Sequence, residues 1–277
     1  MATCIYRSAS GVVVFRDDSY AYWEIDWDDL FQGDSLRAGL SEHAFVHDEK
    51  ARAAVEETLL PPIGSQEVWA AGVTYFSSRL ARMEESKSAG GSDFYASVYN
   101  ADRPELFFKS TAHRVKGHGQ AVRIRQDSVW NVPEPELTLA LSTEGRIIGY
   151  TIGNDMSSRS IEGENPLYLP QAKTYEGAAG LGPGLYVLDT PLNPESKIAL
   201  TVFRADSIAF EGTTRLSEMK RKPEELAAYL FRELSFPFGC FLMTGTGIVP
   251  GNDFTLQSGD RIEIEIEGLG TLSQTVA

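Results

Sequence analysis

The chain has 277 residues, 42% of them hydrophobic and 23% charged, a globular composition with enough length for one large core or two unequal ones. Its net charge of −14, from 39 acidic and 25 basic residues, argues against nucleic acid or an anionic membrane surface as partner. Two distant cysteines, Cys4 and Cys240, offer neither a disulfide framework nor metal-ligand spacing, and with no signal-peptide core and no apolar run near the roughly 18 residues of a membrane helix, a cytoplasmic chain is expected.

Residues 12–15 and 20–25 read as a hairpin, followed by polar connections over 26–29 and 33–35. Residues 47–60 predict a helix with Ala51, Val55 and Leu59 on one stripe, stopped by Pro61 and Pro62. His43 and His47 stand four apart, but no carboxylate pattern accompanies them, and they read as surface residues. Residues 1–65 are therefore taken as a small N-terminal domain, and 66–277 as the domain that carries the chemistry.

The second domain starts with a short apolar strand over 67–73. Residues 79–87 are charged and helix-prone, and the SAGGS tract at 88–92 follows, so a lid hinged at Gly90 and Gly91 is expected. Glu84 and Glu85 on that helix are candidate proton donors or acceptors, and the sequence does not choose between them. A helical turn is expected over 94–100, a strand over 106–109 and another over 122–125. Residues 137–141 (LTLAL) and 147–152 form a buried hairpin through the turn at 143–146. Strands follow at 184–188, 198–203, 241–249 and 261–267, with a helix over 223–234 that has proline in its first turn and glutamates near its positive end. Many strands and few helices indicate a sheet-dominated α+β fold.

Acids gather at the open end of the central hairpin. Glu134 and Glu136 are two residues apart, so in an extended segment their carboxylates share a face. Asp155, just past the second strand, comes back beside them. Three neighbouring carboxylates repel one another unless a cation lies between them, and hard dications prefer oxygen donors. An open site for Mg²⁺ is expected, with Mn²⁺ or Ca²⁺ as alternatives. Lys173 lies in QAKTYE, where burial and positive charge can hold an amine near neutrality as a base; the competing reading is a salt-bridge partner of Glu134, Glu136 or Glu176. The loop Thr244, Gly245, Thr246 suits a substrate carboxylate, because glycine lets backbone N–H groups approach and the hydroxyls add donors. Ser157 and Arg159 lie beyond Asp155, where they can contact substrate or buttress the acids. The run GLGPG at 180–184 is rejected as a nucleotide loop, since it precedes a strand and contains Pro183.

The order E-x-E, NDMSSR, QAKTYE, GPG resembles the fumarylacetoacetate hydrolase family over about residues 66–277, and NDMSSRSIEGENPLYLPQAKTYEG is most similar to its 2-keto-3-deoxy sugar-acid dehydratases. The resemblance implies a mixed β-roll behind a small N-terminal domain, a metal held by Glu134, Glu136 and Asp155, a lysine at Lys173 within the metal site, and a homodimer or homotetramer. It also implies a TGT loop binding a substrate carboxylate and, as substrate, a small 2-oxo sugar acid, 2-keto-3-deoxy-D-arabinonate. Three positions depart from the family pattern. Glu176 stands where K-x-F-D has aspartate, Ser160 stands where the dehydratases have aspartate, and Ser78 stands where the hydrolases carry the histidine of N-Y-x-x-H. Ser78 cannot act as that base, which favours dehydration over the alternative, C–C hydrolysis of acylpyruvates or β-diketo acids, and leaves Ser78 as a substrate contact.

Overall fold

The computed structural model describes residues 2–33, 35–42, 46–78 and 98–277. Two sheets organise it. The larger has eleven strands. Its main path runs Ser19–Trp23, Gly11–Arg16, Ala2–Ser8, Ala179–Leu188, Ile147–Asp155, Pro135–Leu141, Cys240–Met243, Glu67–Gly72, Glu105–Thr111. The smaller has five strands, in the order Ser207–Arg215, Lys197–Arg204, Arg261–Ile266, Gly270–Val276, Ala121–Val122. Most pairs are antiparallel, but Cys240–Met243 lies parallel to Glu67–Gly72, so the mixed sheet depends on long-range closure.

The hairpin Pro135–Leu141 with Ile147–Asp155 sits at the middle of the large sheet and is buried on both faces. Period-two alternation sends Leu137, Leu139 and Leu141 to one face, where they meet Ile198, Leu200 and Val202 and Ile262, Ile264 and Ile266 of the small sheet in one core. Each fully buried leucine of that row contributes about 2 kcal/mol in area removed from water. In the small sheet the strict alternation of RIEIEI does the rest: Ile262 stands opposite Val202, Ile264 opposite Leu200 and Ile266 opposite Ile198.

The other face of the hairpin, at Ala140, packs into a second core with Ile5, Val14, Leu30, Phe31, Leu36 and Phe241. The N-terminal residues reach it by extending the large sheet: Ala2–Ser8 pairs with Ala179–Leu188, with Cys4 opposite Tyr186. The helix Ser35–Glu42 covers this side with Leu36 and Leu40, while a second helix, Glu49–Thr58, buries Ala51 and Ala54 outside that core. The second helix starts where Asp48 caps Lys50 N at 2.8 Å.

Several local expectations are corrected. The helix over 223–234 ends earlier, as Pro223–Leu230, because Phe231 N already bonds Ala227 O and Tyr229 O in a tightened last turn; Leu234 is left exposed. The strand at 122–125 shrinks to Ala121–Val122, and the strand at 241–249 stops at Met243, where the chain turns into its glycine loop. Residues 33–35 are not all connection, since a helix opens at Ser35. Strand Ser207–Arg215 was not foreseen: it is a mostly exposed edge and lacks the apolar alternation that marks a strand. Residues 180–183 fall within strand Ala179–Leu188. The lid, its hinge at Gly90 and Gly91, Glu84 and Glu85 lie outside the described residues.

Candidate metal centre

The site is built at the open end of the central hairpin. Register pairs Leu137 with Ile152, Glu136 with Gly153 and Pro135 with Asn154, and Asp155 N donates to Glu134 O at 2.9 Å. Glu134, Glu136 and Asp155 therefore share the face opposite Leu137, as their spacing in an extended chain requires. They are 4%, 1% and 1% exposed, and one carboxylate oxygen of each lies within 4.8 Å of the other two.

Among the described residues three buried cations surround the acids, supplied by segments packed against this face. Helix Leu169–Lys173 ends in Lys173, whose Nζ donates to Glu134 Oε2 at 2.7 Å, Asp155 Oδ2 at 2.9 Å and Ser157 Oγ at 2.5 Å. Helix Arg159–Glu164 brings Arg159 onto Glu134 Oε1, and one turn on Glu162 lies 3.4 Å from Arg159 Nη1 and 3.9 Å from Lys173 Nζ. Lys109, from strand Glu105–Thr111, sits 2.5 Å from Asp155 Oδ1. Burial pulls the Lys109 ammonium below its ordinary value; Asp155 opposes that shift and the charge of Lys173 adds to it.

Glu136 is different. It receives one hydrogen bond, from Gly245 N at 2.6 Å, and no ion pair to it forms among the described residues. Burial raises its pKa well above the ordinary 4.5, and the charges of Asp155 and then Glu134 raise it further. Gly245 has φ +91°, and a Cβ there would lie 2.0 Å from Thr74 Oγ1, so glycine alone permits the turn that delivers this N–H. Thr74 Oγ1 donates to Thr244 O at 2.7 Å and holds the loop from behind.

The acids line a narrow cleft together with Ser78, Phe107, Arg159, Lys173, Gly245 and Thr246. A wider groove, bordered by Arg37, Tyr150 and Phe231, shares no residue with it. Thr244 is fully buried and its hydroxyl donates to Leu137 O at 2.9 Å, outside the cleft lining. Thr246 reaches the cleft, although its hydroxyl donates to Ile248 O at 3.1 Å. Ser78 also reaches it; its hydroxyl donates to Tyr75 O at 2.8 Å and accepts from Tyr75 N at 3.2 Å. Ser160 Oγ pairs with Ser128 Oγ at 2.8 Å, while Glu176 turns outward, 3.4 Å from Lys116.

Sequence reasoning missed Lys109 and Glu162. The first looks like the polar end of the run LFFK, and the second lies on a helix too short to show periodicity. A lysine directly after the apolar run at 106–108 was the available signal.

Three clustered carboxylates, one without a counter-cation among the described residues, form a hard oxygen donor set, and the arrangement fits Mg²⁺; Mn²⁺ and Ca²⁺ take the same donor type. Among the described residues no helix is long and apolar enough to cross a membrane.

Comparison with known proteins adds to this geometry. The family model described as fumarylacetoacetate (FAA) hydrolase C-terminal matches residues 68–277. A probable 2-keto-3-deoxyxylonate dehydratase of Haloferax volcanii is 46% identical over 244 residues, covering 88% of this chain and 82% of the relative. A 2-dehydro-3-deoxy-D-arabinonate dehydratase of Saccharolobus solfataricus is 46% identical over 213 residues, covering 76% and 72%. The solved structure of 2-keto-3-deoxy-D-arabinonate dehydratase complexed with magnesium and 2,5-dioxopentanoate matches with TM-score 0.84 and 34% identity, over 100% of this chain and 98% of that one.

Proposed function

Because the chain belongs to the fumarylacetoacetate hydrolase family, we propose that it is a Mg²⁺-dependent dehydratase converting 2-keto-3-deoxy-D-arabinonate to 2,5-dioxopentanoate. The observation that carries this reading is the charge pattern of the site. Among the described residues, four buried carboxylates, Glu134, Glu136, Asp155 and Glu162, face three buried cations, Lys109, Arg159 and Lys173. The cluster is one charge short of neutral, and the surplus falls on Glu136. A dication reverses that balance to a single positive charge, which the carboxylate of one 2-oxo acid neutralises.

When bound by Glu134, Glu136 and Asp155, the dication supplies a Lewis acid for the carboxylate and carbonyl oxygens at the head of such a substrate. The remaining work belongs to side chains. Lys173 lines the cleft with its Nζ donating to Glu134, Asp155 and Ser157; it is our candidate to take the C3 proton, after those two carboxylates turn to the bound dication and the amine loses its own proton. Arg159 and Thr246, with the Gly245 backbone behind them, border the substrate space; Ser78 lines it too, while Thr244 steadies the loop from below. Glu84 or Glu85 is our candidate to protonate the departing C4 hydroxyl. The C3 proton and C4 hydroxyl leave as water, and tautomerisation puts the aldehyde at C5. The Ser78 hydroxyl, engaged with the Tyr75 backbone, offers no base for C–C hydrolysis.

We further take residues 1–65 as a small N-terminal domain, 66–277 as the catalytic one, a homodimer or homotetramer as the assembly and the cytoplasm as the location. The two free cysteines, both buried, agree with the last.

Incubation of metal-stripped protein with 2-keto-3-deoxy-D-arabinonate tests the activity. Semialdehyde is expected on adding Mg²⁺ and none in chelator. Release of two acids would mean hydrolysis instead, and absence of turnover on 2-keto-3-deoxy-pentonates and -hexonates alike would end the dehydratase reading.

A further inference from the structure

Lys109 is fully buried and does not face the substrate space, yet it is tied to two parts of the metal centre at once. Its Nζ lies 2.5 Å from Asp155 Oδ1, 2.9 Å from Met156 O and 2.5 Å from Lys173 O. The two backbone carbonyls take hydrogen bonds and the Asp155 carboxylate an ion pair, so the ammonium is turned to these three oxygens rather than to the cleft. The three contacts join the end of strand Ile147–Asp155 to the end of helix Leu169–Lys173. Both segments deliver a functional side chain at that very residue.

The backbone at Lys109 is also unusual. Strand Glu105–Thr111 pairs Ser110 with Val68 and Phe108 with Trp69, so Lys109 is the extra residue of a bulge. A bulge releases a residue from the ladder and re-aims its side chain. Here the released side chain is the lysine, and it points at the back of Asp155. Phe107, two residues earlier, lines the cleft itself.

We propose that Lys109 is a positioning residue of the metal centre: from a β-bulge, its ammonium holds the Asp155 carboxylate and the Lys173 helix end in register, so that the dication meets a preformed site. This deepens, and rests on, the reading of Glu134, Glu136 and Asp155 as metal ligands. Net charge alone does not produce such an effect, because neutralising a second group restores the charge balance but leaves Asp155 Oδ1 and the Lys173 helix end unheld, with Lys173 on Oδ2 as the remaining contact.

The test uses purified full-length protein, stripped of metal and titrated with Mn²⁺ by calorimetry well below its melting temperature. The variants are Lys109→Arg, which keeps the charge but changes its reach, Lys109→Met, and Lys109→Met combined with Glu162→Gln, which restores the charge balance. Circular dichroism reports folding in each. Folded variants are expected to bind Mn²⁺ at least tenfold more weakly than wild type, the double variant included, with kcat falling as well as metal affinity. Any folded variant within twofold of wild type overturns the proposal, and recovery in the double variant alone reduces Lys109 to a charge balance. If Lys109→Arg and Lys109→Met both fail to fold, Lys109 is a requirement of the fold and the positioning role is refuted. Failure of wild type itself to bind Mn²⁺ or Mg²⁺ would instead refute the metal site, a separate result.

Discussion

Two buried acidic sites in this molecule are built on opposite plans. Asp260 is 1% exposed, and Arg204 covers it with a two-pronged contact, Nε to Oδ1 at 2.8 Å and Nη2 to Oδ2 at 2.7 Å. Gln257 N donates to the same carboxylate at 2.8 Å. Every charge there is answered from within the chain, and the site is closed. The cluster at Glu134, Glu136 and Asp155 is as deeply buried but, counted over the described residues, is left one negative charge in excess, beside a cleft. A balanced buried pair holds a sheet together; an unbalanced one keeps a place for something else. Its cost is carried by a fold whose two cores grip the same hairpin from both sides.

Variants can break this contrast. The largest effect is expected at the open site: Glu134→Gln or Asp155→Asn should lower kcat by more than about a thousandfold while circular dichroism stays native. Turnover within tenfold of wild type would mean that these acids do not hold the reacting centre. At the closed site the pattern should invert. Arg204→Met leaves Asp260 buried without its partner and should cost about 2 kcal/mol in urea unfolding, a figure reduced from that of a fully buried pair because Arg204 is partly exposed. Its kcat should be unchanged, and a loss of activity at full folding would erase the distinction between the two sites.

The smallest effect sharpens the comparison through pH. Glu136 has a folded pKa raised above 4.5, first by burial and then by its acidic neighbours. Its protonated form is thus favoured by the fold. In chelator, its contribution to stability is present below about pH 4.5 and is lost as pH rises through the raised value. Glu136→Gln lacks this loss. At neutral pH in chelator it should be more stable than wild type by roughly 1 kcal/mol, with the gap closing towards acid. Saturating Mg²⁺ should reverse the order, since only wild type gains from binding. Equal urea midpoints at every pH would remove Glu136 as the strained member.

Much of the centre was legible in the chain because it depends on strand parity. Glu134 and Glu136 share a face by spacing alone, and Asp155 joins them by counting around a hairpin whose leucines announce burial. The alternation of Arg261–Ile266 fixed which isoleucines face the core by the same logic. What stayed hidden depends on contacts far apart in sequence. The aim of Lys109 comes from a bulge against Glu67–Gly72, which no local pattern encodes. Glu162 reaches the centre from a helix of six residues. Gly245 was read as a partner for a substrate carboxylate; in the fold its N–H is given to Glu136, because the antiparallel pairing of Cys240–Met243 with Pro135–Leu141 brings that loop beside the acids. The helix over 223–234 was overrun since a leucine stripe does not register when the last turn tightens.

The central claim is that Glu134, Glu136 and Asp155 together hold one dication. Crystals grown with Mn²⁺ and measured at the manganese absorption edge test it most directly. The account predicts one strong anomalous peak with an oxygen of each of the three carboxylates at about 2.1 Å. A peak elsewhere, or one that leaves Glu136 without contact to the ion, would contradict it.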